Sequence, residues 1–358
     1  MSSDNLGEHG LCKIYNGDWN DSINAAGLKG IGESVMVSLQ FVTNIETFLH
    51  LIKFLRKNDY LTSYLSCPDV ECLENAKEKM SDSLRRHALN EKGFFNGVFT
   101  DAGQWVFSGH DPDGKTRINN AVNSFAIISG ILDSRQMTTL VDHLKSLRTP
   151  YGYLLFHPAL GETKIHCLGR MGTGDLPAGF GENATIYNHG SNGFLGRAAA
   201  VAGDGDMLYD TLRCLLPYDQ EMHPVSISKT PPYAFVNHWR TAEHCNGTGG
   251  DCFFTGSISV GIRNIYAGMI GFRPDLEGII IDPVIPTEWS GLSALSSAND
   301  CAYRITIENK SGEGKGVKKL LINGEEVLSR RVGHFRQVGF IGYDLLKDKR
   351  ECQIDVVL

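Results

Sequence analysis

Gly17–Val35 reads GDWNDSINAAGLKGIGESV, a glycine-flanked loop that sets an indole, Trp19, between Asp18 and Asp21. The loop then passes through Gly27, Gly30 and Gly32 into a long apolar segment. In that segment Val35, Leu39, Val42, Ile45, Leu49, Ile52 and Leu55 recur at steps of three and four residues, the period of an α-helix. Phe41, Phe48 and Leu51 make the opposite side apolar too, so this helix is expected to be buried nearly all round.

The segments that follow alternate with it. From Pro68 to about Leu89, the residues Val70, Leu73, Ala76, Met80 and Leu84 form one apolar stripe. Glu74, Lys77, Glu78, Arg85 and Arg86 charge the other face, and Pro68 suits a first helical turn. This reads as an outer helix lying on an inner one. Residues 119–131 are mostly apolar, and Ser134 suits the cap of a more polar helix ending near Leu147, before Thr149-Pro150. Residues 190–202 are small and apolar, Gly203-Asp204-Gly205 turns the chain, 207–216 follow, and 255–270 read as another buried helix. The expected class is mainly α, with paired inner and outer helices joined by glycine-rich loops. An α/α toroid and a plain bundle share that periodicity.

Near Gly271 the pattern changes. Residues 279–281, 303–307, 319–322 and 354–357 are short β-branched runs, and Asn323-Gly324 between apolar flanks is a hairpin signal. The expectation is a helical domain over 1–275 and a small antiparallel β domain over 276–358.

Composition bounds the rest. The 358 residues are 42% hydrophobic and 21% charged, which suits a soluble globular chain of one large domain or two smaller ones. A net charge of -7 gives no basic footprint for nucleic acid. No run of 18 consecutive apolar residues argues for a membrane span, and the start MSSDNLGEHG has no signal-peptide pattern. Nine scattered cysteines, with no paired short spacing near histidine, point to reduced thiols in the cytoplasm and to no metal site.

Asp18, Trp19 and Asp21 have two readings. In one, Asp and Asn side chains cap a turn while Trp19 plugs the core. In the other, the indole covers the apolar face of a sugar and an adjacent carboxylic acid protonates a leaving glycosidic oxygen. Contact with Trp19 and exclusion of water would then raise the pKa of that acid.

The segment GDWND followed by Gly30-Ile31-Gly32-Glu33-Ser34 resembles the active-site segment of glycoside hydrolase family 94, the inverting sugar phosphorylases that include cellobiose and chitobiose phosphorylases. Further blocks resemble the family in the same order. They are Glu182-Asn183-Ala184-Thr185-Ile186-Tyr187-Asn188-His189, Thr255-Gly256-Ser257, Gly271-Phe272-Arg273-Pro274-Asp275 and Ile281-Asp282-Pro283-Val284-Ile285-Pro286. The resemblance implies Asp21 as general acid, Trp19 as the donor-sugar platform and Asp18 as a supporting carboxylate. It implies Glu182 on the acceptor side, and His189, Thr255 and Gly256 as the phosphate-binding positions. Taken singly, a histidine in an apolar stretch is more often a satisfied core residue. At Thr255-Gly256 a helix start would offer free N–H groups to an anion.

The implied reaction is a single displacement. Inorganic phosphate, a co-substrate in a reaction needing no cofactor, attacks the anomeric carbon while Asp21 protonates the departing oxygen. A β-linked di- or oligosaccharide then yields an α-sugar 1-phosphate. An inverting glycosidase would instead need a second carboxylate to activate water. Two departures from the family stand out. Gly181 replaces the family's lysine before Glu-Asn, and the motif falls sixteen residues from Met1, where family members carry a β-sandwich and further barrel helices first. The expectation is thus an incomplete (α/α)6 toroid. Such a chain would be a homodimer, associate with a separate N-terminal portion, or be a non-catalytic remnant.

Overall fold

The computed structural model describes residues 5–60, 70–161, 165, 168–217, 219–253, 255–327, 329–331 and 336–358. Pro68 lies outside the described residues. Helix α1, Val35–Lys57, starts where Ser34 caps it by accepting the Val37 N–H, and it ends on Arg56 and Lys57, whose charges suit the C-terminal end of the helix dipole. It is the one described helix long and apolar enough to cross a membrane by length and composition. In the fold it is a core helix that packs on α2, Val70–Ser83, and beside α3, Asn120–Ile128.

Its buried apolar positions are Val35, Met36, Leu39, Val42, Ile45, Leu49 and Ile52, which hold the stripe that the periodicity marks except Leu55, half-buried near the end of the helix. The flank carrying Phe48 and Leu51 is exposed, at 44% and 38%. The expectation of burial all round is therefore corrected: α1 has neighbours on two sides, and nothing described covers the third.

The remaining helices repeat the pairing. α4, Ser134–Lys145, packs on α3, and α5, Phe194–Ala202, lies beside α3 with α6, Gly205–Leu215, against it. A single turn, α7, Val225–Ser228, precedes α8, Ser257–Arg263, which continues as a π-helical stretch to Met269 and packs on α5 and α6. The α4 cap is Asp133, not Ser134: Asp133 accepts the Gln136 N–H while the Gln136 side chain accepts the Asp133 N–H. Gly203, with φ of 74°, makes the left-handed turn between α5 and α6. The 255–270 segment is also not buried all round. Gly261, Asn264, Gly268 and Met269 face the core, while Ile258, Ile262 and Tyr266 form an exposed stripe on the flank away from α5.

Strands occupy more of the chain than a mainly α class allows: 35% of the structure is helical and 22% strand, so the fold is mixed. Many of the strands pair in the loops between helices, where periodicity is silent. The C-terminal region holds two sheets. In one, Phe272–Pro274, Gly278–Ile281, Gln337–Gly342 and Ser329–Arg331 lie side by side, all antiparallel. In the other, the order is Gly291–Ala298, Cys301–Glu308, Glu351–Val357, Lys319–Ile322 and Glu325–Val327. Within it Cys301–Glu308 and Glu351–Val357 run parallel, which corrects the expected all-antiparallel domain. The chain returns to that edge through a long excursion, the connection that a parallel pair needs. Asn323-Gly324 makes the expected hairpin, with φ of 52° and 84°.

Asp282 fastens this region to the helices. Its carboxylate takes Arg336 at 2.7 and 2.8 Å and Arg273 at 3.0 Å. Arg336 also donates to the carbonyls of Ala200 and Val201, at the C-terminal end of α5.

Candidate active site

The loop before α1 is held by its own side chains. Asp18 Oδ1 accepts the Asn20 N–H at 2.9 Å, and Asn20 Oδ1 accepts the Ser22 N–H at 3.0 Å. Ser34, the α1 cap, donates its hydroxyl to Asp18 Oδ2 at 2.7 Å. The turn-capping reading of Asp18 and Asn20 is thus realised. From the outside, Asp101 accepts the N–H groups of Lys29, Ile31 and Gly32 at 2.5, 3.0 and 2.9 Å. Burial would lift the Asp101 pKa, but these three donors outweigh it and hold the carboxyl below its usual range.

Trp19 joins distant parts of the chain. Its ring lies edge-on to Tyr187 at 5.6 Å, to His189 at 5.7 Å and to Phe194 at 5.3 Å. Gly190 passes so near that a Cβ there would stand 2.1 Å from Trp19 Cη2. A Cβ on Gly256 would stand 3.2 Å from the His189 ring, so Gly256 meets the same cluster from α8. Gly256 occupies the N-cap of α8, where a helix start was expected. Thr255 Oγ1 is turned along the chain, accepting the Ser257 N–H at 3.1 Å and pairing with Ser257 Oγ at 2.7 Å. His189 makes no side-chain hydrogen bond among the described residues, so it is not a satisfied core histidine. Burial lowers its pKa and keeps the imidazole neutral.

Asp21 and Glu182 share a cleft of about 350 Å³, lined also by Arg170, Tyr187, Asn237, His238 and Asp251. Ser22 links its two sides: its N–H donates to Glu182 Oε2 at 3.0 Å, and its hydroxyl donates to the same oxygen. Glu182 is buried, not a surface residue, and that burial raises its pKa against the two Ser22 bonds. Burial likewise raises Asp18, despite the bonds from Asn20 and Ser34. Asp21 itself stands exposed at the cleft. The expected shielding of Asp21 is absent, because the indole is engaged by the three rings behind it.

Sequence reasoning missed Ser22, Arg170, Asn237, His238 and Asp251. A three-stranded sheet brings the last three here: Val236–Trp239 pairs with Ile186–Tyr187 on one side and with Gly249–Cys252 on the other. Tyr187 stacks parallel to His238 at 6.2 Å and its hydroxyl accepts from Asn237 Nδ2 at 3.2 Å. No spacing in the sequence signals that pairing. Asn183, formally a glycosylation sequon, is buried and bonds Leu160 and Leu176.

Comparison with known proteins follows the same line. Residues 1–271 match the family model described as the glycosyl hydrolase 94 superfamily, catalytic domain. The chain is 32% identical over 335 residues to a solabiose phosphorylase of Paenibacillus borealis, covering 91% of this chain and 41% of that protein. It is 27% identical over 320 residues to a 3-O-beta-D-glucopyranosyl-beta-D-glucuronide phosphorylase of the same organism, covering 89% and 40%. It is 26% identical over 332 residues to an N,N'-diacetylchitobiose phosphorylase of Vibrio proteolyticus, covering 92% and 39%. The chain thus spans about 40% of the length of these relatives.

Proposed function

The chain belongs to the glycosyl hydrolase 94 superfamily, and on that premise we propose that it takes part in inverting phosphorolysis of a β-linked di- or oligosaccharide to an α-sugar 1-phosphate. One observation carries this reading. Segments far apart in sequence converge so that Asp21 and Glu182 share one cleft, while Trp19, His189 and Gly256 cluster beside it.

In this reading Asp21 is the general acid, because it is the carboxylate of the loop that reaches the open cleft. Trp19 backs the donor sugar, and Asp18 fixes the loop through Asn20 and Ser34. Glu182 meets the departing sugar with the oxygen that Ser22 leaves free. Neutral His189, with the hydroxyl of Thr255 and the backbone at Gly256, receives phosphate on the opposite face. Phosphate is itself nucleophilic near neutral pH, so no base is required. A hydrolase would need a carboxylate base to activate water, and the phosphate dependence of turnover separates that reaction from phosphorolysis.

The helices extend this proposal to the architecture. Inner helices α1, α3, α5 and α8 with outer helices against them fit an arc of an (α/α)6 toroid. Both ends of the arc present apolar flanks, Phe48 and Leu51 on α1 and Ile258, Ile262 and Tyr266 on α8. A further polypeptide that completes the ring, as the greater length of the relatives suggests, would cover both. Leu51→Lys with Ile262→Lys should then abolish its association; association unchanged by both substitutions would place the contact elsewhere.

The function is tested by offering β-linked glucobioses and chitobiose with and without inorganic phosphate, with Asp21→Asn as control. Phosphate-dependent sugar 1-phosphate release, lost in the variant, is the expected result. Release of free sugars without phosphate would identify a hydrolase, and no turnover with any completing polypeptide would refute catalysis by this chain.

A further inference from the structure

α5 and α8 run side by side with little between them. A Cβ at Gly193 would stand 3.0 Å from Val260 Cγ1, at Gly196 2.5 Å from Asn264 Nδ2, and at Gly268 3.1 Å from Ala200 Cβ. The facing positions are therefore 193, 196 and 200 against 260, 264 and 268, and because they advance together the helices are parallel. With about 3.6 residues per turn, Arg197 lies roughly a quarter-turn beyond Gly196, and Arg263 roughly a quarter-turn before Asn264. On two parallel helices that face each other, those opposite rotations lead to the same side of the seam. Phe194, one residue beyond Gly193, lies on that side, and its ring is 4.8 Å from His189 and 5.3 Å from Trp19. Arg197 and Arg263 therefore stand on the site's side of the seam, below His189 and Gly256.

Their charge is poorly balanced. The charged groups that act most on Arg197 are Arg263, Arg273, Arg336 and one carboxylate, Asp282, and Asp275 also acts on Arg273. Asp282 is already taken by Arg336 and Arg273. Arg273 Nε is buried without a partner, and neither Arg197 nor Arg263 has a side-chain hydrogen bond among the described residues. Burial, and then the neighbouring arginines, push Arg197 down to about 10. This group of arginines has the charge and the free donors to bind an anion.

We propose that Arg197 and Arg263 form a cationic floor that binds inorganic phosphate beneath His189 and Gly256 and draws it into the site. The inference rests on the phosphorolytic reading, since it names the groups that supply charge for the phosphate. In this structure Arg197 lies within reach of Arg273, Arg336 and Asp282, and because side chains on a helix lean toward its N-terminus, both arginines have the length to extend toward His189 and Gly256 when an anion draws them. Two guanidinium groups offer a tetrahedral oxyanion the paired donors that a neutral imidazole and a backbone N–H lack.

The test is calorimetric titration with inorganic phosphate, alongside turnover at varied phosphate, for the parent, Arg197→Gln, Arg263→Gln and the exposed control Arg304→Gln. Each of the first two variants should weaken phosphate binding about tenfold, the usual worth of a charge-assisted hydrogen bond. They should raise KM for phosphate with kcat and the KM for oligosaccharide little changed, and Arg197→Lys should recover part of the loss. Exposed Arg263 tolerates replacement, so it decides the matter should Arg197→Gln fold poorly. Parent-like phosphate affinity in Arg263→Gln, and in Arg197→Gln where it folds, would overturn the proposal while leaving the function standing. Saturable phosphate binding lost in the variants, with turnover that ignores phosphate, would uphold the floor and refute the function. A parent that binds no phosphate would refute both.

Discussion

Gly190→Ala should push Trp19 out of its seat. The new Cβ would stand 2.1 Å from Cη2, 2.7 Å from Cζ3 and 3.0 Å from Cζ2 of the indole. Carbon atoms rest about 3.5–4.0 Å apart, so the ring must withdraw by about 1.4 Å. It has little room, because Tyr187, His189 and Phe194 already meet its edges. Overpacking of this kind costs about 1–3 kcal/mol. Gly190 does not hold a left-handed φ, so alanine also regains about 0.5–1 kcal/mol of helical preference. The expected net loss is about 0.5–2 kcal/mol, read by urea unfolding followed by far-UV circular dichroism. Trp19 sits one residue from Asp18 and two from Asp21, so a displacement near 1 Å should lower turnover about a hundredfold. Trp19→Phe removes the clashing six-membered ring. In the double variant the stability penalty of Gly190→Ala should largely vanish, a coupling that a double-mutant cycle measures. A cycle that adds without coupling, or a Gly190→Ala protein as stable and active as the parent, would refute the close approach.

Two further outcomes follow from carboxylates that shape the loop. Asp101→Ala should cost about 1–2 kcal/mol at pH 7 by freeing the N–H groups of Lys29, Ile31 and Gly32. A carboxylate depressed in the fold stabilises above its unfolded pKa, so the difference should narrow progressively as pH falls below about 3.9 and through the lower folded pKa, and a gap that does not narrow in urea titrations over that fall would contradict the hydrogen-bonded account. Asp18 has the opposite sign: its folded pKa is raised by burial, so its ionisation costs stability as pH rises from the unfolded pKa through the folded one. Asp18→Asn should therefore match the parent near pH 4 and exceed it at pH 8; an advantage independent of pH would show that charge is not the cause.

How much of this was legible depends on which interaction sets each feature. The stripe Val35, Leu39, Val42, Ile45, Leu49 and Ile52 was readable because burial follows the helical period directly. Exposure of Phe48 and Ile262 was not, because a sequence states which residues are apolar and not what stands beside them. Asn323-Gly324 announced its hairpin, whereas the strand Gly291–Ala298, reading GLSALSSA, has little β-propensity of its own. It is placed by the turn at Asn299-Asp300, with φ of 49° and 60°, and by pairing along all of Cys301–Glu308. In the site, the local bonds of Asp18 and Asn20 lie within a few residues and were foreseeable. His238 and Asp251 reach the cleft only through long-range strand pairing, and nothing near them in sequence encodes it.

The two aspartates of the opening motif separate the requirements of an acid catalyst. Asp18 has a raised pKa, but both of its oxygens are engaged, Oδ1 by the Asn20 N–H and Oδ2 by Ser34. It can hold a proton and has no free path along which to deliver one. Asp21 has the path, since it stands open to the cleft. In the proposed reaction a sugar filling that cleft would close it to water. Glu182 shares the cleft, and the charge of Asp21 adds to the burial that raises the Glu182 pKa. In the proposed reaction the bonds of Asp18, Ser22 and Asp101 would serve to hold Asp21 where a bound sugar could meet it.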